Sequence, residues 1–128
     1  MHILVADDDL PSVKLTSFLL EEAGYRVLKA YDGPTILQSV EQNQPDLILL
    51  DVSMPIMGGF PAARLLSVHM PKLPIIFVTQ HTEQIYVDEA FRCGAKGYVI
   101  KRAAMTELPT AIRTVMTGQT FCSPLIQF

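Results

Sequence analysis

"LILLDVSMPIMGG", residues 47–59, decides the fold. The run Leu47 to Leu50 is short and apolar on every side, as a strand buried on both faces of a sheet must be. It stops on the carboxylate of Asp51, and Pro55, Gly58 and Gly59 then turn the chain. An acid in that place is presented at the mouth of a strand rather than used in the core.

Similar runs lie on either side, at Ile3–Ala6, Arg26–Ala30, Ile75–Val78 and Gly97–Ile100, each separated from the next by enough chain for a helix. The alternation predicts an α/β domain, a doubly wound five-stranded parallel sheet with flanking helices. Leu15, Phe18, Leu19 and Ala23 mark a first helix closed by Gly24, and Ile36, Leu37 and Val40 a second opened near Gly33-Pro34. Ala62, Leu65, Leu66 and His69 mark a third, and Ile85, Ala90 and Phe91 a less regular fourth. The best period is in the last, at Leu108, Ala111, Ile112, Val115 and Met116, with Pro109 placed in its first turn and Gly118 as its stop. Residues 1–118 are expected to form one domain and residues 119–128 an exit segment.

A chain of 128 residues buries about two thirds of its unfolded surface in a single core. With 49% hydrophobic and 18% charged residues it is expected to be ordered, and no apolar run reaches the roughly 18 residues of a membrane span. The start, Met1-His2-Ile3-Leu4-Val5-Ala6, has no basic leader before its apolar stretch, so no signal peptide and a cytoplasmic location are expected. A net charge of −3 offers no general attraction to nucleic acid. Cys93 and Cys122 lack metal-ligand spacing and read as free thiols.

In an open parallel sheet the ligand crevice lies at the carboxyl ends of the strands. The first strand ends in Asp7-Asp8-Asp9, the third in Asp51, the fourth in Thr79 and the fifth in Lys101. Carboxylates that converge so repel one another unless some protonate or a cation sits among them. Oxygen donors with no His/Cys set suit Mg²⁺ rather than Zn²⁺. Asp51 is then positioned to attack a phosphorus centre as a carboxylate nucleophile, with the Lys101 ammonium and the Thr79 hydroxyl on phosphoryl oxygens. Asp9, just before Leu10-Pro11, reads as a helix cap. His2, His69 and His81 have no ligand spacing, although His81 follows Thr79 closely enough to approach the site mouth. Each of these residues also has an ordinary reading as a turn acid, a cap or a surface cation. Their joint placement at four strand ends favours a shared site.

Together "ILVADDD", "LILLDVSMPIMGG", "IIFVT" and "GAKGYVIK" resemble the receiver domain of two-component response regulators over nearly the whole chain. The resemblance implies a flavodoxin-like sheet of strand order 2-1-3-4-5. It implies Asp51 as phosphoacceptor, Asp7, Asp8, Asp51 and the backbone carbonyl of Ser53 as Mg²⁺ ligands, and Lys101 on the phosphoryl group. Thr79 becomes the switch hydroxyl and Tyr98 a switch aromatic that turns inward when Thr79 moves. The implied partners are a sensor histidine kinase and, on phosphorylation, a second copy meeting the face of the fourth helix, last strand and last helix. The chain is then a signalling acceptor and not an enzyme.

The tail "LPTAIRTVMTGQTFCSP" is similar to the NarL/LuxR-type subclass, whose receivers precede a helix-turn-helix domain, so DNA would be met only through such an output domain and no membrane would be involved. Two positions depart from the family's habit: Gln80 follows Thr79 where a small residue is usual, and Arg102 follows Lys101 where Pro is common. Three other readings stay open. A dehalogenase-type phosphatase needs an Asp where Ser53 stands, a flavin carrier needs a phosphate-cradling loop where Asp7-Asp8-Asp9 stand, and a receiver can signal without phosphorylation.

Overall fold

A computed structural model describes residues 1–126; the last two residues of the expected exit segment lie outside that range. Strands β1 (His2–Ala6), β2 (Arg26–Ala30), β3 (Leu47–Leu50), β4 (Ile75–Thr79) and β5 (Gly97–Ile100) alternate with helices α1 (Leu10–Glu22), α2 (Gly33–Asn43), α3 (Gly59–His69), α4 (Gln84–Arg92) and α5 (Ala104–Met116). A 3₁₀ turn, Lys101–Ala103, leads into α5. The sheet order is β2-β1-β3-β4-β5 with every pairing parallel, as expected.

One strand was not expected. β6 (Phe121–Cys122) pairs parallel with the outer edge of β5, so among the described residues the sheet has six strands and residues 121–126 return to the fold. Ser123 and Ile126 are buried there. The Ser123 hydroxyl donates to the buried Glu107 carboxylate at 2.8 Å and accepts the Leu125 N–H at 3.1 Å. Backbone pairing to an open sheet edge is available to almost any sequence, and two residues are too few to show a period.

Alternating side chains divide the core into two layers. Leu4, Ala6, Ile48, Leu50, Ile75, Phe77, Tyr98 and Ile100 face α2, α3 and α4. Ile3, Val5, Leu47, Leu49, Ile76, Val78 and Val99 face α1 and α5. The central strands are buried on both sides, which is why they read as unbroken apolar runs.

Several helix faces differ from expectation. On α1, Leu15 and Phe18 are more than half exposed and Ala23 is exposed, while Val13, Thr16, Ser17 and Leu20 pack inward. Two stripes with the same spacing compete on that helix, and docking on the sheet selects one; the Asp9 carboxylate caps its start, accepting the Ser12 N–H at 3.3 Å. Thr16 and Ser17 are small enough to let the helix lie close to the sheet. On α4, Val87 and Ala90 are buried while Ile85 is exposed. Pro109 lies well inside α5 rather than in its first turn, because the helix begins at Ala104. Its missing N–H is tolerated on the solvent face, where both Pro109 and Met105, four residues earlier, are exposed.

Candidate functional site

The register builds the site. Ala6 lies opposite Leu50, so Asp7 and Asp51 leave the sheet side by side. Both stay tied to it, the Asp51 N–H donating to the Ala6 carbonyl at 2.9 Å and the Asp7 N–H to the Ala30 carbonyl at 3.1 Å. Thr79 lies opposite Ile100, so Lys101 emerges one residue beyond. One carboxylate oxygen each from Asp7, Asp8 and Asp51 lie within 4.8 Å of one another. Asp7 and Asp51 are buried and Asp8 is exposed. The Lys101 ammonium reaches across, 2.8 Å from Asp7 Oδ2 and 3.7 Å from Asp51 Oδ2. Asp9 turns away into its cap and orders the cluster from behind, its N–H donating to Asp7 Oδ1 at 3.0 Å.

Charge in this small volume is out of balance. Burial, and then the charge of Asp7, push the Asp51 carboxyl up to about 6, although Lys101 pulls the other way. For Lys101, burial alone would favour the neutral amine; Asp7, Asp51 and Asp9 outweigh it and hold the pKa above the ordinary lysine value. Three carboxylates against one ammonium leave room for a small dication. The donors are hard oxygens with no thiolate or imidazole among them, which fits Mg²⁺. Ser53 stands on the lip of the same cleft, about 340 Å³, together with Gln80 and His81. Gln80 is exposed at the mouth. The Lys101–Arg102 peptide is trans, as are all the described peptide bonds.

Gly59, the first residue of α3, explains how tightly the β3 end is held. A Cβ there would lie 2.0 Å from the Asp51 carbonyl oxygen, so α3 starts in direct contact with the backbone of the acidic residue. The intervening loop carries strain at Ile56, which has φ of 70° and is 85% exposed. The Met57 N–H closes over it onto the Pro55 carbonyl at 2.7 Å. A β-branched residue rarely adopts that region, and asparagine does so more readily. Ile56→Asn is therefore expected to stabilise the fold by about 1 kcal/mol, read as a higher urea midpoint at an unchanged slope.

Thr79 and Tyr98 meet through an intermediary. Thr79 is fully buried, and its hydroxyl accepts the His81 N–H at 3.3 Å. Tyr98 is also fully buried, under α4, and its hydroxyl donates to the His81 carbonyl at 2.9 Å. Burial holds the Tyr98 phenol well above the ordinary tyrosine range. Tyr98 points inward in this structure, because alternation along β5 aims residue 98 into the α2–α4 layer. The only sequence signal for the part His81 plays was its place two residues beyond Thr79.

Fold and site together define a receiver domain. Residues 3–113 match the response regulator receiver domain family, and the chain belongs to it. It is 36% identical over 128 residues to the response regulator GacA of Pseudomonas aeruginosa, covering 98% of this chain and 60% of that protein. It is 34% identical over 124 residues to the transcriptional activator protein ExaE of Pseudomonas putida, covering 94% of this chain and 58% of that protein. A two-component response regulator of the LuxR family from Aurantimonas sp. SI85-9A1 superposes with a TM-score of 0.92 at 29% identity, over 98% of this chain and 91% of that one. The chain spans about 60% of the length of the curated relatives it matches. Receiver domains are signalling domains that generally bind Mg²⁺ at an acidic pocket, and here Asp7, Asp8 and Asp51 form an acidic cluster. Among the described residues no helix is long and apolar enough to cross a membrane.

Proposed function

We propose that Asp51 accepts a phosphoryl group from a phosphohistidine on a sensor histidine kinase. The observation that carries this reading is the convergence of Asp7, Asp8, Asp51 and Lys101 on one cleft at the strand ends. In the transfer an Asp51 carboxylate oxygen forms the new bond to phosphorus as the bond from phosphorus to the imidazole nitrogen breaks, and the leaving imidazole takes its proton from solvent. Lys101 holds a phosphoryl oxygen as a point charge, and Thr79 donates its hydroxyl to another. Asp7, Asp8, Asp51 and the Ser53 carbonyl would hold Mg²⁺, which when bound offsets the charge of about −2 that a phosphoryl group adds.

In the whole protein this switch would control transcription. The kinships to GacA and to the activator ExaE support that reading. DNA would be contacted by an output domain reached through the segment 119–128, and not by the receiver core 1–118. Loading of Asp51 would favour a homodimer across α4, β5 and α5, in the cytoplasm.

Intact-protein mass after incubation with a small phosphodonor, with and without Mg²⁺, tests the reading. One Mg²⁺-dependent phosphoryl adduct is expected; no adduct under any condition would leave a receiver that signals without phosphorylation. Asp8 is exposed, so Asp8→Asn should leave folding intact while lowering Mg²⁺ affinity about tenfold or more, measured by calorimetry. An unchanged affinity would remove Asp8 from the metal site.

A further inference from the structure

Loading Asp51 has a consequence only if something carries it to the helices. Between the buried Thr79 and the surface of α4 stands one residue whose backbone and ring are both engaged. The His81 N–H donates to Thr79 Oγ1 and its carbonyl accepts the Tyr98 hydroxyl, at 3.3 and 2.9 Å. Its imidazole, with a side chain only 23% exposed, lies flat on Tyr86 in the first turn of α4, centroids 4.1 Å apart and planes 8° apart. Tyr86 in turn stacks toward Phe60 of α3 at 6.4 Å, and Phe60 meets Phe77 of β4 at 5.3 Å. The four rings run from the loop after β4, over α4 and α3, and back to β4.

We propose that His81 is the positioning residue that couples the occupancy of Asp51 to α4 in this chain, by the flat packing of its ring on Tyr86. This rests on the phosphoacceptor reading of Asp51. Any shift of Thr79 Oγ1 toward a phosphoryl oxygen on Asp51 must lengthen the bond it accepts from the His81 N–H or carry His81 with it. His81 cannot follow without dragging its ring, and the ring carries Tyr86 and the start of α4. The Tyr98 hydroxyl, held by the same carbonyl, senses the same displacement. His81 thus acts through Thr79 and Tyr86, without any part in the bond that forms at phosphorus.

Hydrogen exchange of the α4 amides, compared in loaded and unloaded protein at equal phosphoryl occupancy fixed by intact mass, tests this. His81→Ala is expected to shrink the loading-dependent change in α4 exchange by about two- to tenfold, the range that one aromatic stack can supply. Tyr86→Leu, at a residue that does not line the acidic cleft, should shrink it as much, the double variant no further, and His81→Phe should restore it. A full-sized response in His81→Ala, losses that simply add, or a His81→Phe as defective as alanine would each overturn the proposal. Wild-type protein that takes no phosphoryl group would overturn the reading beneath it as well.

Discussion

Asp51→Asn is expected to abolish the phosphoryl adduct and at the same time to stabilise the metal-free protein by about 2–3 kcal/mol at neutral pH. The two effects share a cause. Asp51 is 7% exposed and its carboxyl is pushed up to about 6 by burial and by Asp7, against an ordinary value of 3.8. Between those two values the folded protein binds a proton that the unfolded chain has released. The contribution of Asp51 to stability is therefore most favourable below about pH 4 and falls as pH rises through 6. Asparagine keeps the shape and removes the charge. Urea unfolding in chelator should show the variant ahead of wild type at pH 7.5, with the gap closing toward pH 4. Mg²⁺ should then stabilise wild type more than the variant. A variant no more stable than wild type at pH 7.5 would mean that Lys101 already neutralises the cluster.

Gly59→Ala is expected to cost about 3 kcal/mol or more. The added methyl meets the Asp51 carbonyl oxygen at 2.0 Å, its carbonyl carbon at 2.9 Å and the Phe77 ring at 3.0 Å. Two of those neighbours are backbone atoms of a residue hydrogen-bonded to β1, so the helix must back away or the end of β3 must move. Either change displaces the Asp51 carboxylate, and adduct formation should slow along with the loss of stability. Gly58→Ala is the control. Its Cβ comes no closer than 3.3 Å to the Val52 carbonyl, and it should cost no more than about 1 kcal/mol. Equal losses at the two positions would show that backbone freedom in the loop, rather than contact with Asp51, requires the glycines.

What could be read from residues alone was whatever depends on local pattern. Five strands and their ends were legible because a strand buried on both faces must be apolar throughout, and in a parallel sheet all such strands end on the same side. Asp7, Asp8, Asp51 and Lys101 could accordingly be named as neighbours although they are spread over most of the chain. Asp9 could be separated from its two neighbours because a cap must stand just before its helix.

Other features depended on relations between distant segments. The inward face of α1 could not be chosen, since 13-16-17-20 and 15-18-19 are both helical stripes and only docking on the sheet selects one. β6 is held by the open edge of β5 and by Glu107, neither of which leaves a mark in residues 119–126. Gly59 looks like any loop glycine until α3 is set against the Asp51 carbonyl. The link from Thr79 through His81 to Tyr86 exists only because β4 and α4 bring a backbone amide, a carbonyl and two flat rings together. Periodicity and chain order therefore determined the strands, their common direction and the residues at their ends, since each follows from which faces are buried. Tertiary structure decided which helix faces turn inward, where residues 121–122 pair and what touches Thr79 and Tyr98, because those contacts join segments whose spacing in the chain carries no signal.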